Sequence, residues 1–143
     1  MNESIVPQPV ASTQQINSFL SDTFGMTVDH CIESGYGWAI TQTTPGERSL
    51  RPGEIVNGPA VFGACDGALC YAVYTMIGVE PMAMTGEMSI RYLRPARGDV
   101  LYARADIHSL GRRSIVGTVV AWTDDPLKPN AVAQGTIVRP TSA

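Results

Sequence analysis

Between Asn57 and Gly78 the chain reads NGPAVFGACDGALCYAVYTMIG, apolar or small at nearly every position. A helix that is hydrophobic on all sides is a buried one. Its ends carry matching punctuation: Gly58 as an N-cap, Pro59 with its preset φ at the first helical position, and Gly78 and Pro81 as the stop. The pattern predicts one long central helix over about 59–77. Upstream, Thr13 is placed to cap a short helix running to Phe24, with Ile16, Phe19, Leu20 and Phe24 on one face and Gly25 at its end. Met26 to Thr43 is β-branched and aromatic, with a bulge or bend expected at Gly35 and Gly37. Thr44 to Gly53 is turn-rich, with room for a short strand. Beyond the central helix the period shortens to two. Met84 to Leu93, Val100 to Ser109, Ser114 to Trp122 and Ala131 to Arg139 read as strands. Turns at Arg94–Asp99 and Gly111–Arg113, and a loop at Thr123–Asn130, separate them.

One apolar helix followed by antiparallel strands implies an α+β domain whose sheet curls around the helix. A single helix leaves sheet edges and a face uncovered, and association between copies is the usual remedy. Residues 1–12 are polar and proline-punctuated and read as a flexible tail; 13–143 read as one domain. A length of 143 residues, 44% hydrophobic and 16% charged, suits a single packed core. A formal net charge of −3 offers no electrostatic case for nucleic acid. No run is expected to span a bilayer, and the start lacks the blocks of a signal peptide. Cys31, Cys65 and Cys70 form neither a CxxC nor a metal spacing, so reduced thiols in a cytoplasmic protein are the simplest expectation.

Asp66 is the one charged residue within the apolar helix. A carboxylate there is costly unless hydrogen-bonded, paired or functional. Its bland reading is a structural acid bonded across an interface. Cys65 beside it is a small buried thiol more readily than a nucleophile, because His30 and His108 lie in distant strands.

With Asn57-Gly58-Pro59, Asp66, Thr85–Pro95 (TGEMSIRYLRP) and Gly111-Arg112-Arg113 in this order, the chain resembles the hotdog-fold acyl-CoA thioesterases of the phenylacetate-degradation type, a 4-hydroxybenzoyl-CoA thioesterase-like family. The resemblance covers roughly Leu50 to Pro140. Family members often carry His-Gly-Gly where this chain has Asn57-Gly58-Pro59, so any role of that histidine is absent or taken by Asn57. The resemblance implies hydrolysis of a small or aryl acyl-CoA, without metal or further cofactor, coenzyme A being part of the substrate. The Gly58 N–H at the helix N-terminus would polarise the carbonyl, and Asp66 would act as nucleophile or general base. Asn57 would orient a reacting group or simply cap the helix. Cys70 and Thr85 are candidates for the pocket. Arg91, Arg94, Arg97, Arg112 and Arg113 are candidates for the coenzyme A phosphates, since arginine binds phosphate through a planar fork.

Gly58 and Asp66 are eight residues apart, about 12 Å along a helix axis. One thioester cannot touch both, whereas two antiparallel helices about a two-fold set each Asp66 beside the other chain's Gly58. The expectation is therefore a homodimer, or a dimer of dimers, with shared sites. The competing reading is an acyl-CoA binding or sensing protein that has lost turnover. A hydratase of the same fold would want an Asp/His pair on the central helix and comes last.

Overall fold

A computed structural model describes residues 5–25 and 29–140. The first residues of the expected tail and the Met26–Val28 start of the first strand-rich stretch lie outside that range. The elements follow the order α1 (Thr13–Phe24), β1 (Asp29–Gly35), β2 (Trp38–Thr43), β3 (Leu50–Arg51), β4 (Ile55–Val56), α2 (Gly58–Ile77), β5 (Met84–Tyr92), β6 (Leu101–Leu110), β7 (Ser114–Trp122) and β8 (Ala131–Val138). Among the described residues, six strands form one antiparallel sheet in the order β1-β2-β6-β7-β8-β5. Against the sequence expectation, helix α2 is long and apolar enough by length and composition to cross a membrane; here it packs against all six strands, so the sheet wraps around it in the hotdog arrangement.

Alternation fixes which side faces the helix. Leu101, Ala103 and Ala105 of β6, Ile115, Val119 and Ala121 of β7, and Ala131, Ala133 and Ile137 of β8 are buried beneath α2. Leu69, fully buried, seats in a notch made by two cross-strand glycines, Gly117 and Gly135. A Cβ on either would stand 2.8 or 2.7 Å from a Leu69 methyl. The outer face carries Tyr102 stacked on Trp122 at 5.7 Å and the Arg104 guanidinium 4.6 Å over the Trp38 ring.

Several local expectations change. Ser12, rather than Thr13, caps α1 through a reciprocal box: its Oγ accepts from the Gln15 N–H at 3.1 Å, and Gln15 Oε1 accepts from the Ser12 N–H at 2.8 Å. Phe24 does not share the buried face of Ile16 and Leu20; it is 68% exposed at the helix end. Gly35 and Gly37 form no bulge. Gly37, at φ +86°, serves the two-residue turn between β1 and β2, and the bulge lies between Cys31 and Glu33. The end of the stretch read as a tail is tied down: the Val10 N–H donates to Thr75 O at 2.7 Å and Ala11 is buried.

Candidate active site

The two candidate groups on α2 lie at different heights along its axis. At the N-terminus the cap is Asn57, not Gly58, with Oδ1 accepting from the Ala60 N–H at 2.9 Å. The other end of the same amide donates to Arg48 O at 3.2 Å, so Asn57 is committed to holding the helix start. Pro59 has no N–H, and the Val61 N–H closes the first helical bond on Asn57 O. Among the described residues, the Gly58 N–H alone in this first turn is left without an acceptor. Cap and proline together reduce the usual fan of helix N-terminal donors to one, backed by the helix dipole.

A cavity of about 360 Å³ is lined by Gly58, Val61, Tyr92 and Asn130 and carries Arg51 and Arg94. Tyr92 Oη donates to Gly58 O at 3.0 Å, and the Arg94 guanidinium donates to Pro129 O at 2.9 Å. Sequence reasoning missed Arg51. It sits in a two-residue strand whose partner, β4, leads directly into α2. Only that hairpin pairing brings it to the helix start.

Two turns further along α2, Asp66 is half-buried and accepts from Thr85 Oγ1 at 2.5 Å. Plain alternation along β5 would turn Thr85 outward with Glu87, Ser89 and Arg91. A bulge between Thr85 and Glu87 shifts the parity, so Met88, Ile90 and Tyr92 face the helix and Thr85 does too. The helix surface around Asp66 is open: Gly63 is exposed, and Gly67 and Cys70 are partly so. Cys65 points into the core, where burial pushes its thiol up to about 12. Burial raises Cys70 to about 11. Neither supplies a thiolate near neutral pH.

The arginines separate into groups. Arg94 reaches the Gly58 cavity. Arg91 lies on the outer face of the sheet, bonded to Ser89 Oγ and Ile90 O, and the fold does not bring it to either end of the site. Arg97 donates to Gly53 O beside the β3–β4 turn. Arg112 and Arg113 stand exposed on the β6–β7 turn, the length of β8 away from the Gly58 cavity, about 25 Å. Within one chain, Gly58 with Arg51 and Arg94 occupies one end, and Asp66 with Thr85 and the Arg112–Arg113 turn the other.

The thioesterase superfamily model matches residues 53–129, a span that includes the helix start, Asp66 and the strands behind them. The chain belongs to the thioesterase superfamily. This thioesterase is 27% identical over 116 residues to an esterase candidate of Saccharolobus solfataricus, covering 80% of this chain and 77% of that protein. A thioesterase candidate from Silicibacter sp. superposes with a TM-score of 0.82 at 25% identity over 94% of this chain and 95% of its own. The PaaI protein of the E. coli phenylacetic acid degradation operon shares the fold, with a TM-score of 0.70 at 23% identity over 89% and 92% of the two chains. The reaction class is thioester hydrolysis.

Proposed function

We propose that this thioesterase hydrolyses a small or aryl acyl-CoA at sites shared between two copies of the chain. The observation that carries the reading is the division of the chemistry along α2: one free N–H at Gly58, a residue that lines a cavity, and an oriented carboxylate about 12 Å further on, on a partly exposed face. Only a second, antiparallel α2 unites them. Strand β5 supports the same association. It is a nine-residue sheet edge, with Met84 and Tyr92 more than half exposed. A sheet edge of this length presents a row of unpaired backbone N–H and C=O groups to another strand. A two-fold through α2 and β5 also draws Arg51 and Arg94 of one chain toward Arg112 and Arg113 of the other, placing four guanidinium groups where the coenzyme A phosphates leave the site.

The chemistry follows from the groups. The partner's Gly58 N–H binds the thioester oxygen and gains strength as negative charge develops there. Thr85 holds Oδ1 of Asp66, leaving Oδ2 for the reacting atom. Either Oδ2 attacks the carbonyl carbon and expels the coenzyme A thiolate, leaving an anhydride that water cleaves, or Oδ2 takes a proton from water as that water attacks. The products in both cases are the free acid and the thiol. Thiol release from a panel of acyl-CoAs tests the reading, comparing wild type with Asp66→Asn. Turnover that collapses by at least a hundredfold in a folded, associated variant supports it. Equal rates remove Asp66 from the reaction.

A further inference from the structure

On the side of α2 away from Thr85 lies a second carboxylate that the reaction does not use. Asp29, the first residue of β1, accepts from Thr43 Oγ1 at 3.0 Å and from Tyr71 Oη at 3.2 Å. No lysine or arginine among the described residues pairs with it. Room for it comes from the helix. A Cβ on Gly67 would stand 2.6 Å from Asp29 Oδ2 and 3.3 Å from Tyr71 Oη. Stability alone selects neither half of this arrangement. A glycine inside a helix is unfavourable by about 1 kcal/mol relative to alanine, and partial burial of Asp29 disfavours its charged form, with the Thr43 and Tyr71 hydrogen bonds and the neighbouring His30 opposing.

Position gives the pair a use. On the helix surface Gly63 and Cys70 are neighbours of both Asp66 and Gly67, so these four residues form one continuous patch. Gly63 is exposed, and Asp66, Gly67 and Cys70 are partly buried. Thr85 borders the patch on the β5 side, and Asp29 with Tyr71 on the β1 side. When the partner's Gly58 lies beside Asp66, the partner's helix, which starts there, ends its cover of this face at Asp66. Gly67 and Cys70 lie beyond the start of that helix.

Resting on the shared-site reading above, we infer that the acyl group crosses Gly67 and Cys70 and ends on Asp29, which accepts a hydrogen bond from a hydroxyl carried by that acyl group. Coenzyme A leaves in the other direction, toward Arg51 and Arg94 of the partner. Tyr71 and Thr43 act as positioning residues: each fixes one carboxylate oxygen and leaves lone pairs facing the patch.

The test measures kcat/KM for pairs of acyl-CoA esters that differ only in a distal hydroxyl, such as ring-hydroxylated and plain arylacetyl esters, and ω-hydroxy and plain alkanoyl esters. Wild type favours the hydroxylated member of at least one pair by tenfold or more. Asp29→Val, similar in size but without an acceptor, loses that preference while hydrolysing the plain ester within about threefold of wild type. Should Asp29→Val not fold, Asp29→Asn keeps the shape with half the acceptor capacity and must lower the preference as well. A wild-type preference below threefold for every pair, or one that survives both substitutions, overturns the inference and leaves the role of Asp66 untouched. If no ester is hydrolysed, the shared-site chemistry fails separately. Calorimetric affinities of the same pairs for wild type and Asp29→Val then decide about Asp29 by the same criterion.

Discussion

A site divided between two chains makes a quantitative prediction through subunit mixing. Gly58→Pro is the cleanest way to delete the donor. Proline is favoured in the first helical turn, and Asn57, at φ −70° and ψ 160°, already has the extended backbone that a residue before proline requires. The nearest side-chain atom to a Cβ at this position is Tyr92 Oη at 3.4 Å, an ordinary contact. The substitution therefore removes one N–H with little else, and a loss of about 10²–10³ in kcat follows from withdrawing a single oxyanion donor. Asp66→Asn, made separately, removes the carboxylate. When the two inactive proteins are mixed in equal amounts and their subunits exchanged under mild denaturant, half the dimers are mixed. Each mixed dimer pairs an intact Asp66 with an intact Gly58 at one of its two sites. The mixture should recover about a quarter of wild-type thiol release. Differently tagged subunits, purified as mixed dimers, should reach about half. A mixture no more active than its parents, with mixed dimers present on a native gel, would refute the shared site. An active Gly58→Pro would refute the donor.

Arg51→Ala and Arg94→Ala should each raise KM for acyl-CoA about tenfold with kcat retained, and leave KM for the matching pantetheine ester, which lacks the nucleotide phosphates, unchanged. Gly135→Ala should cost about 1–3 kcal/mol in urea unfolding, because its methyl meets Leu69. In a Leu69→Ala background the same substitution should cost measurably less, since the clash is gone. Burial raises the Asp29 pKa above 3.8, with the Thr43 and Tyr71 hydrogen bonds opposing in part. The folded state then holds this proton more tightly than the unfolded one, so its contribution is full below 3.8 and lost as pH rises from there through the raised value. Thermal unfolding of wild type should decline through that window relative to Asp29→Asn, and parallel curves would contradict the burial argument.

The sequence carried the fold where the physics is local. An apolar helix bounded by Asn57-Gly58-Pro59 and Gly78, followed by four period-two strands, admits few architectures other than a sheet wrapped on one helix. Asp66 stood out for the same reason, as a charge in an apolar run. What stayed hidden depends on pairing between distant segments. The inward turn of Thr85 needs a bulge that alternation cannot reveal. Arg51 reaches the helix start only because β3 folds back on β4. Asp29 reads as the polar first residue of a strand until Gly67, thirty-eight positions later, is seen to make room for it. The same glycine had passed as one more small residue in an apolar helix. Glycines inside α2 and beneath it thus divide into two kinds by what fills the space they leave. Gly117 and Gly135 admit an apolar side chain and close the core, while Gly67 admits a carboxylate and leaves the helix face open beside Asp66. That difference in occupant, legible only in three dimensions, is what separates the packed side of α2 from the side on which a substrate can lie.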